Sequence, residues 1–486
     1  MDARPNIILI NVDQWRGDCL SVAGHPVVHT PYLDQLALEG VRFERAYSAT
    51  PTCIPARVAL HTGLSQRTHG RVGYRDGVAW DYPVTLAGEF TRGGYQTQAV
   101  GKLHAYPERL SLGFQHVVLH DGLIHFSRRL NQDIGMLDDY LPWLREQSGY
   151  AADHFDHGLN CNSVAVRPWD KDERLHPTNY VVTQSIDFLR RRDPTRPFFL
   201  YMSFHRPHPP YDPPAWALEQ YLGTEMPPAP VGEWSDAFAA FASPHNPECF
   251  AGRIDPKVLQ RARAGYYGQI THIDHQLNRF IETLQAYGLR DNTWICFTSD
   301  HGEMLGDHDL FRKGFPYEGS ARVPLILKGP AGGDVKPGSL NGAVVELRDI
   351  MPTLLECAGL PIPQSVEGRS FLPLARGEDI VWREQLHGEH VLFGQSLHWV
   401  TDGHAKYVWF SGTGLEQLFD LDKDPQELND RARANPHSDR VMHWRNMLIE
   451  ELGGREEGFT DGKRLLTGRP VHPLLLHLRE RLGIEA

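Results

Sequence analysis

Short apolar runs alternate with amphipathic helical patterns along most of this chain, and that alternation restricts the fold to an α/β architecture, a large mostly parallel sheet flanked by helices. The runs are Asn6 to Val12, Gln96 to Gly101, Phe198 to Phe204, Thr293 to Ser299 and Val323 to Leu327, and each stops where polar residues begin. Between the third and fourth runs, Tyr266, Ile270, Ile273, Leu277, Phe280 and Leu284 recur at helical spacing and predict a long helix whose apolar stripe is core. His272 and His275 on that helix read as packing or surface histidines, not ligands. In an open sheet ligands gather beyond the carboxyl ends of the strands, so residues just past the apolar runs are the candidates for chemistry.

A chain of 486 residues, 41% hydrophobic, exceeds one compact domain. The expected division is a catalytic domain over residues 1–377 and a small C-terminal α+β domain over 378–486, with the boundary near Arg376-Gly377-Glu378-Asp379. Beyond it, Trp399 to Thr401, Ala405 to Phe410 and Gln417 to Leu421 predict short antiparallel strands, and Asp422-Lys423-Asp424-Pro425 a turn. A helix is predicted from about Pro436 to Leu452, packed on that sheet. The stretch from Tyr106 to Pro177 lacks clean periodicity and is predicted to form loops over the site, where specificity is often carried.

The formal net charge of −12 argues against a nucleic-acid partner and repels anions at long range. An anionic substrate then needs a local cluster of cations. Cys19, Cys53, Cys161, Cys249, Cys296 and Cys357 are widely scattered with no C-x-x-C pair, which predicts reduced, buried thiols and no disulfide framework. The run Ile7 to Val12 is too short for a membrane span or a signal sequence, so no membrane partner and a cytoplasmic location are expected, a removed leader being the other possibility.

Cys53-Ile54-Pro55-Ala56-Arg57 has the pattern C-x-P-x-R, and Val58-Ala59-Leu60-His61-Thr62-Gly63 continues it with x-x-L-x-T-G. The whole window resembles the signature of type I sulfatases of the alkaline phosphatase superfamily. The resemblance implies that a formylglycine-generating enzyme reads this window and oxidises Cys53 to a catalytic aldehyde. A lone C-x-P-x-R would be only a buried cysteine beside a proline turn.

Asp13-Gln14 follows the first apolar run, and Asp300-His301 follows the fourth within Thr298-Ser299-Asp300-His301-Gly302-Glu303. Carboxylate and amide oxygens suit a hard divalent ion, and a ring nitrogen shifts the preference toward manganese or other transition metals. By resemblance, Asp13, Gln14, Cys53, Asp300 and His301 hold one divalent metal ion, calcium first, manganese or magnesium otherwise. The family usually carries two aspartates at the first position and Asp-Asn at the second. Gln14 and His301 instead resemble the phosphonate monoester hydrolase branch, where the metal is commonly manganese.

Gly101-Lys102-Leu103-His104 resembles the family's G-K-x-H step, His205-Arg206-Pro207-His208 its P-H segment, and Lys313 stands twelve residues after His301 as the substrate lysine does. The implied catalytic set is Cys53, Arg57, Lys102, His104, His208 and Lys313, with His205 as the rival to His208. Phe419-Asp420-Leu421, Asp424-Pro425 and Glu427-Leu428-Asn429 resemble the family's C-terminal run, so the likeness spans nearly the whole chain.

The implied reaction is hydrolysis of a sulfate monoester, on a small molecule or a saccharide, to alcohol and inorganic sulfate. Lys102, Lys313 and the metal steady the oxygens, a protonated His208 or Lys313 protonates the alcohol, and His104 takes a proton during sulfate release. The same machinery serves a phosphonate monoester or phosphodiester hydrolase, and an inactive member that binds anionic sugars is the reading from another class. Leu474, Leu475, Leu476 and Leu478 either pack within the chain or on a neighbouring subunit of a homo-oligomer.

Overall fold

A computed structural model describes residues 4–485. Eight strands form the large sheet: β1 (Asn6–Asp13), β2 (Val41–Tyr47), β3 (Gln96–Gly101), β4 (His116–Leu119), β5 (Phe198–Pro207), β6 (Thr293–Ser299), β7 (Leu325–Lys328) and β8 (Ser339–Glu346), in the order β4-β3-β5-β1-β6-β7-β2-β8. All pairings are parallel except those of β7, which runs antiparallel to both β6 and β2.

The apolar runs mark the buried interior of this sheet. Every residue of β1, β5 and β6 is buried, as strands covered on both faces must be. The fifth run, expected at Val323 to Leu327, forms its strand two residues later and with reversed direction. Three strands were not expected. β4 and β8 are the sheet edges and β2 carries Arg42, Glu44 and Arg45 on its open side, so none has a continuous apolar run.

Alternate residues of β1 feed two cores. Ile7 and Leu9 face a cluster with the Cys53–Thr62, Leu86–Arg92 and Ile350–Cys357 helices, and Ile8, Ile10 and Val12 face the Pro177–Arg191 and Pro256–Ala286 helices. The 31-residue Pro256–Ala286 helix buries the predicted stripe in full. His272 on it is buried beside His176 and Glu173, and His275 packs on Tyr32 and Trp216.

The second sheet is an antiparallel meander, β12-β11-β10-β9, from β9 (Leu386–Leu392), β10 (Gln395–Thr401), β11 (Ala405–Phe410) and β12 (Glu416–Asp420). Its outer face meets the Asp439–Glu451 helix through Val400, Tyr407 and Trp409 against Val441, Trp444 and Leu448. Its inner face, with Trp399, Val408 and Phe410, shares one cluster with Tyr47, Phe315 and Tyr317 beside the large sheet. β9 was not expected, because His387, Glu389 and His390 interrupt its apolar pattern.

The segment after the Cys53–Thr62 helix is held on both sides. Val391 N–H donates to the Val72 carbonyl at 2.7 Å, while Val72 N–H donates to Pro473 at 2.9 Å and Leu475 N–H to Gly70 at 2.8 Å. Leu474, Leu475 and Leu478 are accordingly buried within the chain, Leu474 and Leu478 against Val78, while Leu476 is exposed. The 106–177 stretch is more ordered than predicted, holding β4 and the short helices His125–Arg129, Ile134–Leu137 and Tyr140–Ser148. Among the described residues, no helix is long and apolar enough to cross a membrane.

Candidate active site

β1 and β6 are parallel neighbours with Val12 level with Ser299, so Asp13-Gln14 and Asp300-His301 leave the sheet side by side. Gln14 turns sharply, with φ of 69°, and its N–H donates to Asp300 Oδ1 at 3.1 Å. Cys53 opens the Cys53–Thr62 helix, where Pro55 is tolerated because the first turn needs no N–H partner. The tail of the motif closes that helix. Thr62 Oγ1 donates to the Val58 carbonyl at 2.7 Å, and Gly63 takes the left-handed conformation, φ 68°, that ends it.

These three chain segments bring Asp13, Cys53, Asp300 and His301 together, all buried, with one ligating atom of each within 4.8 Å of the others. Cys53 Sγ lies 3.1 Å from His301 Nε2 and 3.7 Å from Asp13 Oδ1, and His301 Nε2 is 3.5 Å from Asp13 Oδ1. His301 Nδ1 donates to the Gly302 carbonyl at 2.9 Å, which turns the Nε2 lone pair inward. Two buried carboxylates and an oriented imidazole around one point fit a divalent cation, and Gln14 follows Asp13 with its Oε1 on Lys313.

Arg57, one turn after Cys53, is buried and fixed. Its Nε donates to Asp300 Oδ2 at 2.8 Å and its Nη1 to the Lys102 carbonyl and Ser203 Oγ at 2.7 and 2.9 Å. Lys102 Nζ bonds Asp13. Burial pushes the Asp13 carboxyl up, but Lys102, His208, His301 and Lys313 outweigh it and hold Asp13 well below the usual range. Burial and Asp13 likewise push the Cys53 thiol up, and Lys102, Lys313 and His301 more than reverse this.

Lys313 Nζ bonds Gln14 Oε1 at 2.7 Å and His208 Nε2 at 2.6 Å. Since His208 Nδ1 donates to the Pro209 carbonyl at 2.8 Å, Nε2 is the acceptor. Burial and Lys313 hold His208 well below the ordinary histidine range, so it is neutral. In this arrangement Lys313, not His208, carries the donor hydrogens between the two. His205, the rival, lines the same cavity beside His208, with its Nδ1 2.6 Å from Arg206 Nη1, within a pair Arg206 makes with Asp212.

His104 has φ of 57°, its N–H held by Asp121 Oδ1 at 3.0 Å, and Nε2 lies 3.9 Å from Asp76 Oδ1. Burial and Lys102 disfavour its protonated form, yet Asp76 and Cys53 raise its pKa above the ordinary value.

Cys53, Lys102, His104, His208 and Lys313 open on one cavity of about 660 Å³. Arg57, Asp13 and Asp300 stand behind it. Phe126 brings the 106–177 stretch into the outer wall, as predicted, but Tyr74, Asp76, Phe250, Arg312 and Phe393 were not foreseen, and they come from four separate segments without a shared local pattern. Of these only Arg312, adjacent to Lys313, had a neighbouring signal. Glu303, the last residue of the Thr298–Glu303 stretch, was given no role and is buried against Gln14.

The α/β fold and this cation-lined, metal-suited centre define a hydrolase of the alkaline phosphatase superfamily. More narrowly, the chain belongs to the sulfatase family, whose model matches residues 5–360, and is a sulfuric ester hydrolase. A second model, N-sulphoglucosamine sulphohydrolase C-terminal, matches residues 306–452. The chain is 50% identical over 483 residues to an arylsulfatase of Clostridium perfringens, covering 98% of this chain and 100% of that one. It is 31% identical to the multifunctional alkaline phosphatase superfamily protein PehA of Trinickia caryophylli, over 91% of this chain and 95% of that protein. The crystal structure of a phosphonate monoester hydrolase of Agrobacterium radiobacter superposes with a TM-score of 0.77 at 28% identity, covering 92% of this chain and 95% of that chain.

Proposed function

We propose that this protein hydrolyses sulfate monoesters to an alcohol and inorganic sulfate, with an aldehyde made from Cys53 by a formylglycine-generating enzyme as the nucleophile. The observation that carries the reading is the position of Cys53, at a helix N-terminus between Asp13 and His301 and facing the cations Lys102 and Lys313 in one cavity.

Asp13, Gln14, Asp300 and His301, with residue 53, would hold one divalent ion; calcium is the first candidate, with manganese and magnesium next. When bound, the ion supplies positive charge that polarises the ester and eases ionisation of the attacking hydroxyl. The hydrated aldehyde supplies a second hydroxyl with which sulfate is expelled, which a serine lacks. Arg57 fixes Asp300, which accepts the proton of the attacking hydroxyl. Lys102 and Lys313 donate to the sulfuryl oxygens where charge grows. Lys313, oriented by neutral His208, gives its proton to the departing alkoxide, and His104 takes one as sulfate leaves.

Six buried cysteines, none in a disulfide among the described residues, suit a reducing compartment, and with them a cytoplasmic location. A second reading, phosphonate monoester hydrolysis, is favoured by Gln14 and His301 and by the 28% identical structure. The test is kcat/KM for an aryl sulfate and an aryl phosphonate monoester, on protein whose aldehyde content is measured by mass spectrometry, with Cys53→Ala alongside. Sulfate preference lost in Cys53→Ala is expected. Phosphonate preference would reverse the order of the two readings, and turnover indifferent to Cys53 would sink both.

A further inference from the structure

The amide of Gln14 stands between two groups that can each be met in only one way. On one side, Lys313 Nζ donates to Gln14 Oε1 at 2.7 Å, and an ammonium has no acceptor to offer. On the other, Gln14 Nε2 donates to Glu303 Oε2. Glu303 itself is 2% exposed and does not swing. Its Oε1 receives the backbone N–H of Leu305 at 2.9 Å and that of Arg312, two donors fixed by the loop that follows β6.

The backbone of Gln14 is pinned as firmly. Its N–H reaches Asp300 Oδ1 at 3.1 Å and its carbonyl accepts from Tyr266 Oη at 2.7 Å. With the main chain fixed, the side-chain amide has one orientation: oxygen toward Lys313, nitrogen toward Glu303.

We propose that Glu303 is a positioning residue for metal binding, and that residues 14 and 303 form a matched pair in which a buried carboxylate at 303 requires an amide at 14. This deepens the reading above and rests on Gln14 as a metal ligand. It also accounts for the departure noted in the sequence: an acidic side chain at 14 would set two carboxylates face to face in a dry site. Here the neighbour excludes it.

The pairing makes an isosteric exchange informative. In Glu303→Gln the group at 303 gains its own N–H donors, and the amide of Gln14 loses the partner that orients it. In Gln14→Glu two carboxylates meet. In the double variant Gln14→Glu/Glu303→Gln the oxygen of the new amide at 303 still accepts the Leu305 and Arg312 N–H groups, while its nitrogen donates to the new carboxylate at 14.

The experiment is titration calorimetry of CaCl₂ and of MnCl₂ into chelator-stripped full-length protein, with circular dichroism to check folding and Asp13→Ala as the control for the site. Each single exchange should weaken metal binding roughly 10- to 100-fold, the range for lost outer-shell partners, and the double exchange should return it to within several-fold of the parent. If Glu303→Gln alone does not fold, recovery of folding by the double variant is the same rescue. Parent-like metal affinity in Glu303→Gln, or a double variant no better than the worse single, would overturn the pairing. Parent-like affinity in Asp13→Ala would instead overturn the metal site on which it rests.

Discussion

Arg455→Met should loosen the outer wall of the cavity from a position outside the reacting groups. Arg455 makes a two-pronged pair with Glu389 of β9, Nη1 to Oε1 at 2.6 Å and Nη2 to Oε2 at 2.9 Å, with both side chains buried. Burial pushes the Glu389 carboxyl up, but Arg455 and then His398 outweigh it and bring the pKa from 4.5 down to about 2. That difference corresponds to about 3 kcal/mol of stability. Because the folded value is the depressed one, the contribution is complete above pH 4.5 and is lost as pH falls toward 2. Removing the guanidinium leaves a buried carboxylate unpaired, a loss of about 3–5 kcal/mol. Thermal melts of parent and variant from pH 8 down to the edge of acid unfolding should therefore show a gap that is widest at neutral pH and narrows in acid. The double variant Arg455→Met/Glu389→Gln should regain much of the loss. KM should rise, since Val391, Leu392 and His390 of β9 line the cavity. A gap that does not change with pH would refute the assignment of the loss to Glu389.

Cys53→Ala should lower kcat by about 10⁴-fold or more while leaving the circular dichroism spectrum unchanged, since a nucleophile has no substitute. Lys313→Ala should cost about 10²- to 10³-fold in kcat/KM, and the loss should grow with the pKa of the departing alcohol across a series of aryl sulfates; a flat series would remove Lys313 as the proton donor. Chelation should lower both turnover and the melting temperature, with recovery on adding metal; at a hundredfold excess over Kd the recovered stability is about 2.7 kcal/mol. Gly122→Ala should reduce both stability and turnover, because Gly122 has φ of 78° and a Cβ there would stand 2.2 Å from the His205 ring; an unaffected variant would show that this loop yields freely.

What could be read in advance follows a physical line. β1, β3, β5 and β6 are buried on both faces, so burial wrote itself as uninterrupted apolar runs, and the chemistry at their ends followed from where such strands stop. β4 and β8 sit at the edges and β9 carries a buried Glu389 on the outer face of its sheet to meet Arg455, so each needs polar residues that erase the pattern. The same division holds at the site. Asp13, Cys53, Lys102, Asp300 and Lys313 lie in motif segments, whereas Tyr74, Phe250 and Phe393 become neighbours only by tertiary contact across the cavity. Glu303 lay inside a quoted segment, but its importance depends on which amide it faces, and that partner is 289 residues away.

The cavity draws on residues from Thr52 to Pro473, and the segment that leaves the Cys53–Thr62 helix is gripped between β9 and the Pro473–Leu475 strap. Synthesis runs from the other direction, so Cys53 emerges more than four hundred residues before the last wall piece exists. A chain halted between Lys313 and that strap would carry every candidate reacting group and still lack part of the wall around them. Turnover therefore also reports that synthesis has passed Pro473 and that the strap there has come back to the segment after Cys53.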